Sequence, residues 1–386
     1  MRLRSQTVEQ RDSPISTAYD LLEGHAYAGK LLDLAQAAPQ YPPAQVVSEH
    51  VADLVRRGEG GEYTEVPGIP RLRAALAAEL SEAYAGRVAP ENVVVTAGCN
   101  QAFSLVASAL AGPGDEVVLA LPYYFNHDMW LRMNGIVPVY LEPDADLVPR
   151  AADAEPLITG RTRAIVLVTP GNPTGVTMPP GEIAEFAALA ARHGIALVVD
   201  ETYRSFRSTD RPAHDLFADP SWARTVVSLH SFSKDLAVPG YRVGAVVASP
   251  ELNREVCKLL DCVAVCAPRI GQEAAWAGLT QARRWRVDRA QELARQRAWL
   301  GEAMADRPGG FELLSCGGFF GWIRHPFADR PTADVVRALV REHGVLVVPG
   351  TAFLPDDRRT LRVSAGNADL AAISELAVRF RAMGAA

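Results

Sequence analysis

Between residues 93 and 248 the sequence alternates short runs rich in β-branched residues with longer stretches of helical periodicity. No other feature limits the fold as strongly. The runs are Val93–Thr96, Glu116–Leu119, Ala164–Thr169, Ala196–Asp200, Thr225–Leu229 and Ala245–Ala248. Between them, Gln101–Leu110 and Pro180–His193 read as helices. His193-Gly194 ahead of Ile195 marks a helix end, with glycine supplying the left-handed residue. Apolar strands separated by helices need cover on both faces, so the expected fold is α/β with a mostly parallel central sheet between helices. In such a sheet functional side chains gather at the carboxyl ends of the strands.

The 386 residues exceed one ordinary domain. The last hundred change character. A charged stretch from Thr280 to Asp306 reads as one long linking helix. Short strands follow at Phe319–Ile323, Val345–Val348 and Leu361–Val363, with helices at Thr332–Glu342 and Asp369–Met383. These make a smaller α+β unit. The expected division is an N-terminal segment, 1–45, packing with the small domain or a partner, a large cofactor-binding domain, 46–280, and a small domain, 281–386.

Charge and apolar patterning exclude whole classes. With 45 acidic against 39 basic residues the net charge is −6, and no Lys/Arg run appears, so a nucleic-acid surface is not expected. No run of 18 apolar residues marks a membrane span. Met1-Arg2-Leu3-Arg4-Ser5-Gln6 leads into polar sequence without the apolar core of a secretory signal, so a cytoplasmic enzyme is expected. Cys257, Cys262 and Cys266 lack the spacing of zinc ligands and read as buried thiols in a reducing compartment; no metal site is expected.

Chemistry concentrates in the segments that follow strands. Asp200 closes the run Ile195–Val199, and Tyr203 lies three residues on. Ser231-Phe232-Ser233-Lys234 follows another run and precedes Pro239-Gly240-Tyr241-Arg242-Val243-Gly244. Pro170-Gly171-Asn172-Pro173-Thr174-Gly175 is dense in turn formers. Val95-Thr96-Ala97-Gly98-Cys99-Asn100 passes from strand through glycine into a helix, where free backbone N–H groups meet an anion. A lysine, a carboxylate, hydroxyl and amide donors, and an anion cradle together suit pyridoxal 5'-phosphate.

The order Asn172, Asp200-x-x-Tyr203, Ser231-x-Ser233-Lys234, Arg242, Arg362 resembles the class I/II aminotransferases among the fold-type-I pyridoxal-phosphate enzymes, from about residue 31 to the end. The resemblance implies that Lys234 forms the cofactor imine and moves the Cα proton, and that Asp200 pairs with the pyridine nitrogen. Asn172 and Tyr203 would bond the ring oxygen. Gly98, Cys99, Asn100, Ser231, Ser233 and Arg242 would hold the phosphate. Tyr124, in Pro122-Tyr123-Tyr124, would stack on the ring, and Arg362 would clamp the substrate carboxylate. Tyr63, in Tyr63-Thr64-Glu65-Val66-Pro67-Gly68, matches the tyrosine that reaches the neighbouring subunit's phosphate, implying a homodimer with shared sites.

Two departures stand out. Ala37 replaces the glycine of the family's N-terminal loop, a change that bears on the backbone path there and on the space beside the substrate. Arg269 stands where small polar residues are usual, and reads as a surface charge or as a residue facing the partner's site.

The expected reaction is transfer of an amino group from an L-amino acid to a 2-oxo acid. Leu121–Tyr124 and Ser233–Gly244 are also similar to 1-aminocyclopropane-1-carboxylate synthase, so γ-elimination, γ-replacement or cyclisation on S-adenosylmethionine is the alternative. The glutamate of that enzyme's N-terminal loop has no counterpart at Gln36-Ala37. A catalytically silent regulatory domain is a third reading, without a helix-turn-helix to support it.

Overall fold

The computed structural model describes residues 1–23, 27, 29–207 and 212–384. Thirteen strands are described, numbered in chain order. Leu32–Asp33 is β1. The strands β2 (Val93–Thr96), β3 (Glu116–Ala120), β4 (Val137–Leu141), β5 (Thr162–Val168), β6 (Ala196–Asp200), β7 (Val226–Ser231) and β8 (Gly244–Val247) form one sheet in the order β2-β8-β7-β6-β5-β3-β4. All its neighbours are parallel except β8, which runs against both β2 and β7. Its central strands are buried on both faces: Ile165, Leu167, Leu197 and Val199 pack on Ile183 and Phe186 of helix Pro180–His193, while Val166, Val198 and Leu229 join the core on the other side. The doubly covered, mostly parallel α/β sheet expected from the apolar runs is the one observed.

The second sheet is antiparallel: β12 (Val348–Pro349), β13 (Thr360–Ser364), β10 (Phe320–Arg324) and β9 (Glu312–Gly317), in that order. The expected single strand Val345–Val348 is instead two pieces. Val345–Leu346, β11, pairs in parallel with β1, and Val348–Pro349 turns to β13, so the break serves two different partners. The segment before residue 45 thereby reaches the C-terminal part of the chain. There, Leu32 and Leu34 share a core with Val335, Leu339 and Val345.

The long helix expected from Thr280 to Asp306 is present as Arg283–Ala303, and only its expected start differs, because Thr280 and Gln281 close the preceding helix. Arg269–Gln281 ends and Arg283–Ala303 begins at Ala282, whose φ of −110° and ψ of 21° leave the helical region. Ala282 is buried in the large-sheet core, and the second helix departs to pack Leu300 among the small-sheet residues, so the change of core forces the break. The cysteine expectation fails at one position. Helix Pro250–Ala264 buries Asn253, Val256 and Leu260, which places Cys262 on its exposed face; Cys257 is partly buried and Cys266 buried.

Candidate active site

Asp200, Ser231 and the turn carrying Lys234 leave the carboxyl ends of β6 and β7, and Asn172 follows β5. With Cys99, Asn100, Tyr124, Tyr203, Ser233, Arg242, Arg362 and Ala37 they line one pocket. Gly98 sits just behind it as the residue before helix Cys99–Leu110. Its φ of 90° suits glycine, and a Cβ there would run into the Arg242 guanidinium. Arg242 itself takes a left-handed φ of 53° and donates to the carbonyls of Pro239 (2.8 Å) and Ala97 (3.2 Å). A strained residue held by two carbonyls keeps its cation over the start of that helix. Nearby, the Ser233 backbone N–H donates to Ser231 Oγ at 3.2 Å.

Asp200 is buried at the strand end, where its Oδ1 accepts from the Thr202 backbone N–H at 2.9 Å. Burial pulls its carboxyl upward, but His127 and Thr202 outweigh it and hold the group below its ordinary value. His127 Nε2 lies 3.4 Å from Asp200 Oδ2, and the ring stacks on Phe103 with centroids 3.9 Å apart. The sequence reading missed His127. Its only local signal is a histidine one helical turn after Tyr124. Tyr124 stands edge-on to it at 5.1 Å.

Opposite Asp200, Lys234 Nζ donates to the Ala37 carbonyl. Burial, then the charges of Arg362 and Arg242, push its amine down from 10.5 to about 8. Arg362 is 2% exposed; Nη1 donates to Asn172 Oδ1 at 2.9 Å and Nη2 to the Ala35 carbonyl at 2.5 Å. Burial brings it down to about 10, so it is charged at neutral pH. Its guanidinium carbon lies 4.8 Å and 5.0 Å from the ring centres of Phe320 and Phe353. Tyr203 is buried against Phe320, and burial raises its hydroxyl well above the ordinary value.

Ala37 is buried without a positive φ, so this position does not demand glycine. Arg269 pairs with Glu273 at 3.2 Å and does not line the pocket. Tyr63 lies outside it too, 78% exposed. Gln36 of the departing N-terminal loop lines the pocket as well, and Ile15, Phe125 and Thr202 do so without having been singled out.

Three cations, Lys234, Arg242 and Arg362, thus face a pocket whose only acidic lining residue, among those described, is Asp200. Arg362 Nε is buried without a partner in the described structure. A helix start with an arginine above it fits a phosphate, a carboxylate held ionised fits a protonated pyridine nitrogen, and the spare donor fits a carboxylate. The residues present suit pyridoxal phosphate together with an amino acid. Among the described residues no group of three or more His, Cys, Asp or Glu is placed to hold a metal, and no helix is long and apolar enough to cross a membrane.

The family model for class I and II aminotransferases matches residues 29–380. An aromatic aminotransferase of Arabidopsis thaliana is 31% identical over 364 residues, spanning 91% of this chain and 89% of that protein. An arginine–pyruvate transaminase of Pseudomonas aeruginosa is 30% identical over 346 residues, spanning 86% and 85%. The solved Thermus thermophilus aspartate aminotransferase with maleate aligns with a TM-score of 0.89 at 26% identity, over 99% of this chain and 100% of that one. These relatives do not favour the S-adenosylmethionine alternative.

Proposed function

Because the chain belongs to the class I and II aminotransferases and is a pyridoxal-phosphate-dependent enzyme of that family, we propose that it moves the amino group of an L-α-amino acid to a 2-oxo acid at the pocket around Lys234. When bound, the cofactor supplies an aldehyde and an electron-accepting ring that stabilises negative charge at the substrate Cα. Lys234 carries the cofactor and moves the Cα proton, a task for which an amine near pKa 8 is suited at neutral pH. Asp200, held ionised by His127, keeps the ring nitrogen protonated. Asn172 and Tyr203 bond the ring oxygen and Tyr124 covers one face. The N–H groups of Gly98, Cys99 and Asn100, with Ser231, Ser233 and Arg242, hold the phosphate. Arg362 binds the α-carboxylate through its planar fork, which fixes the Cα–H bond for removal, and Ala37 borders the same substrate space.

The single observation that carries this reading is the placement of Lys234, Asp200 and Arg362 around one pocket. Ile15 and Phe125 give it an apolar border, which supports a substrate with an uncharged side chain. The same reading divides the chain at 45 and 280. It places the enzyme in the cytoplasm, where its five free thiols are at home, and makes it a homodimer in which the partner subunit contributes Tyr63.

The test is to incubate purified enzyme and cofactor with each of the twenty amino acids, with and without pyruvate or 2-oxoglutarate, and to assay oxo-acid formation. Turnover should require the acceptor, and leucine or phenylalanine should outrun aspartate and glutamate. Sustained consumption of S-adenosylmethionine without any oxo acid would overturn the reading.

A further inference from the structure

Three residues placed at the cofactor are each followed by an ionisable neighbour that points elsewhere. Asp200 precedes Glu201, whose carboxylate accepts from Ser228 at 2.6 Å and from Tyr84. Tyr203 precedes Arg204, and Lys234 precedes Asp235. Asp235 meets one further cation, Arg286, directly, and Arg204 is joined to the same cation through Glu79. Arg286, in the first turn of helix Arg283–Ala303, donates from Nε to Asp235 Oδ2 at 2.9 Å, with Nη2 at 2.7 Å from the same oxygen. It also grips Glu79 of helix Pro70–Ala83 through Nη1 (2.7 Å) and Nη2 (2.9 Å), and Glu79 in turn takes Arg204.

We propose that Arg286 is a positioning residue for Lys234; this rests on the reading of Lys234 as the cofactor lysine. Three features carry it. First, Arg286 makes every hydrogen bond of the Asp235 side chain among the described residues, since Asp235 Oδ1 is buried with no partner. Second, Lys234 and Asp235 lie in a turn after β7, so no strand or helix fixes their side chains; the Leu236 and Val238 N–H groups close it on Phe232 (3.1 Å) and Ser233 (3.2 Å). One side chain reaches the Ala37 carbonyl and the next reaches Arg286, so rotation of the turn about Asp235 swings the Lys234 amine. Third, the fork is clamped between two carboxylates in a poorly hydrated place, the Arg286 and Asp235 side chains being 13% and 6% exposed. A planar cation held on two sides has little freedom, which a lysine in its place would not reproduce. Because the helix carrying Arg286 continues to the small sheet, the same guanidinium ties the orientation of that helix to the reacting amine.

The test compares holoenzyme carrying Arg286→Met, Arg286→Lys or Asp235→Asn with wild type. Arg150→Met serves as control, because Arg150 also joins two carboxylates, Asp144 and Glu182, but does not line the pocket. The readouts are the visible circular dichroism of the bound cofactor, kcat and KM separately, and Tm. Arg286→Met should lower kcat about 30- to 100-fold, the scale of a 1 Å misplacement, with KM changed less than about threefold and the cofactor dichroism clearly altered. Arg286→Lys should recover only part of the kcat. The control should lose Tm without moving dichroism or kcat. If Arg286→Met does not fold, Asp235→Asn decides, with about a tenfold loss of kcat expected. Dichroism and kcat within about twofold of wild type in whichever variant decides, whatever the change in Tm, would overturn the proposal and leave a purely structural ion pair. A wild-type cofactor spectrum unchanged by Lys234→Ala would instead overturn the reading of Lys234, and the proposal with it.

Discussion

The reactivity of Lys234 is set by what surrounds one amine. An ordinary lysine holds well under 1% of its amine neutral at pH 8, whereas Lys234, brought down to about 8 by burial and then by Arg362 and Arg242, holds about half. In apoprotein, reductive methylation with 13C-formaldehyde followed by NMR titration should show one lysine titrating near pH 8. Arg362→Leu should move that resonance upward, because a nearby cation is removed; an unmoved resonance would deny the coupling. Asp200, Asn172 and Lys234 were legible because they stand where an apolar strand gives way to a turn, whereas Arg362, in the middle of β13, was expected only through the family resemblance. His127 was not legible. It lies inside a helix, and only the folded contact with Asp200 gives it meaning.

Elements were legible where a single rule governed them and illegible where two partners competed. The central strands β5 and β6 follow uninterrupted apolar runs, Ala164–Val168 and Ala196–Val199, and β7 follows one broken by Ser228 and His230. Strand β4 carries Pro138 and lies at the sheet edge, and β9 mixes Glu312, Ser315 and Gly317, so neither announces itself. The break at Ala282 has no glycine or proline to signal it; it exists because two helices serve two cores. One consequence concerns Glu79, which ties helix Pro70–Ala83 to helix Arg283–Ala303. Burial opposes its ionisation, but Arg204 and Arg286 outweigh burial and lower it from 4.5 to about 2. A carboxylate depressed in the fold stabilises the protein above its unfolded pKa, and that stability is lost as pH falls from 4.5 through about 2. Its share is on the order of 3 kcal/mol. Urea unfolding of wild type and Glu79→Gln at pH 7 and pH 3 should show the wild-type advantage shrinking at the lower pH. An advantage that does not change between the two pH values would contradict the assignment.

For the molecule as a whole, the exposed Tyr63 is the test of the dimer. Tyr63→Phe should weaken cofactor retention by about 1–2 kcal/mol, the scale of one hydrogen bond to a charged group. Mixing it with Lys234→Ala should create hybrid dimers in which one site has both native residues, and tight cofactor binding should partly return. A fully active species sedimenting as a monomer would remove the basis for this. The two-sheet plan was foreseeable from the change in patterning after residue 280, but the pairing of β1 with β11 was not, because two-residue strands carry no period. That pairing has a consequence for how the protein is made. Leu32 and Asp33 find their partners only at Val345 and Leu346, more than three hundred residues later in synthesis. At 5–20 residues per second the segment must wait on the ribosome for roughly 15–60 s before its partner strand exists. The apolar residues it will bury, Leu32 and Leu34, are left unsheltered during translation while the large sheet is already able to form.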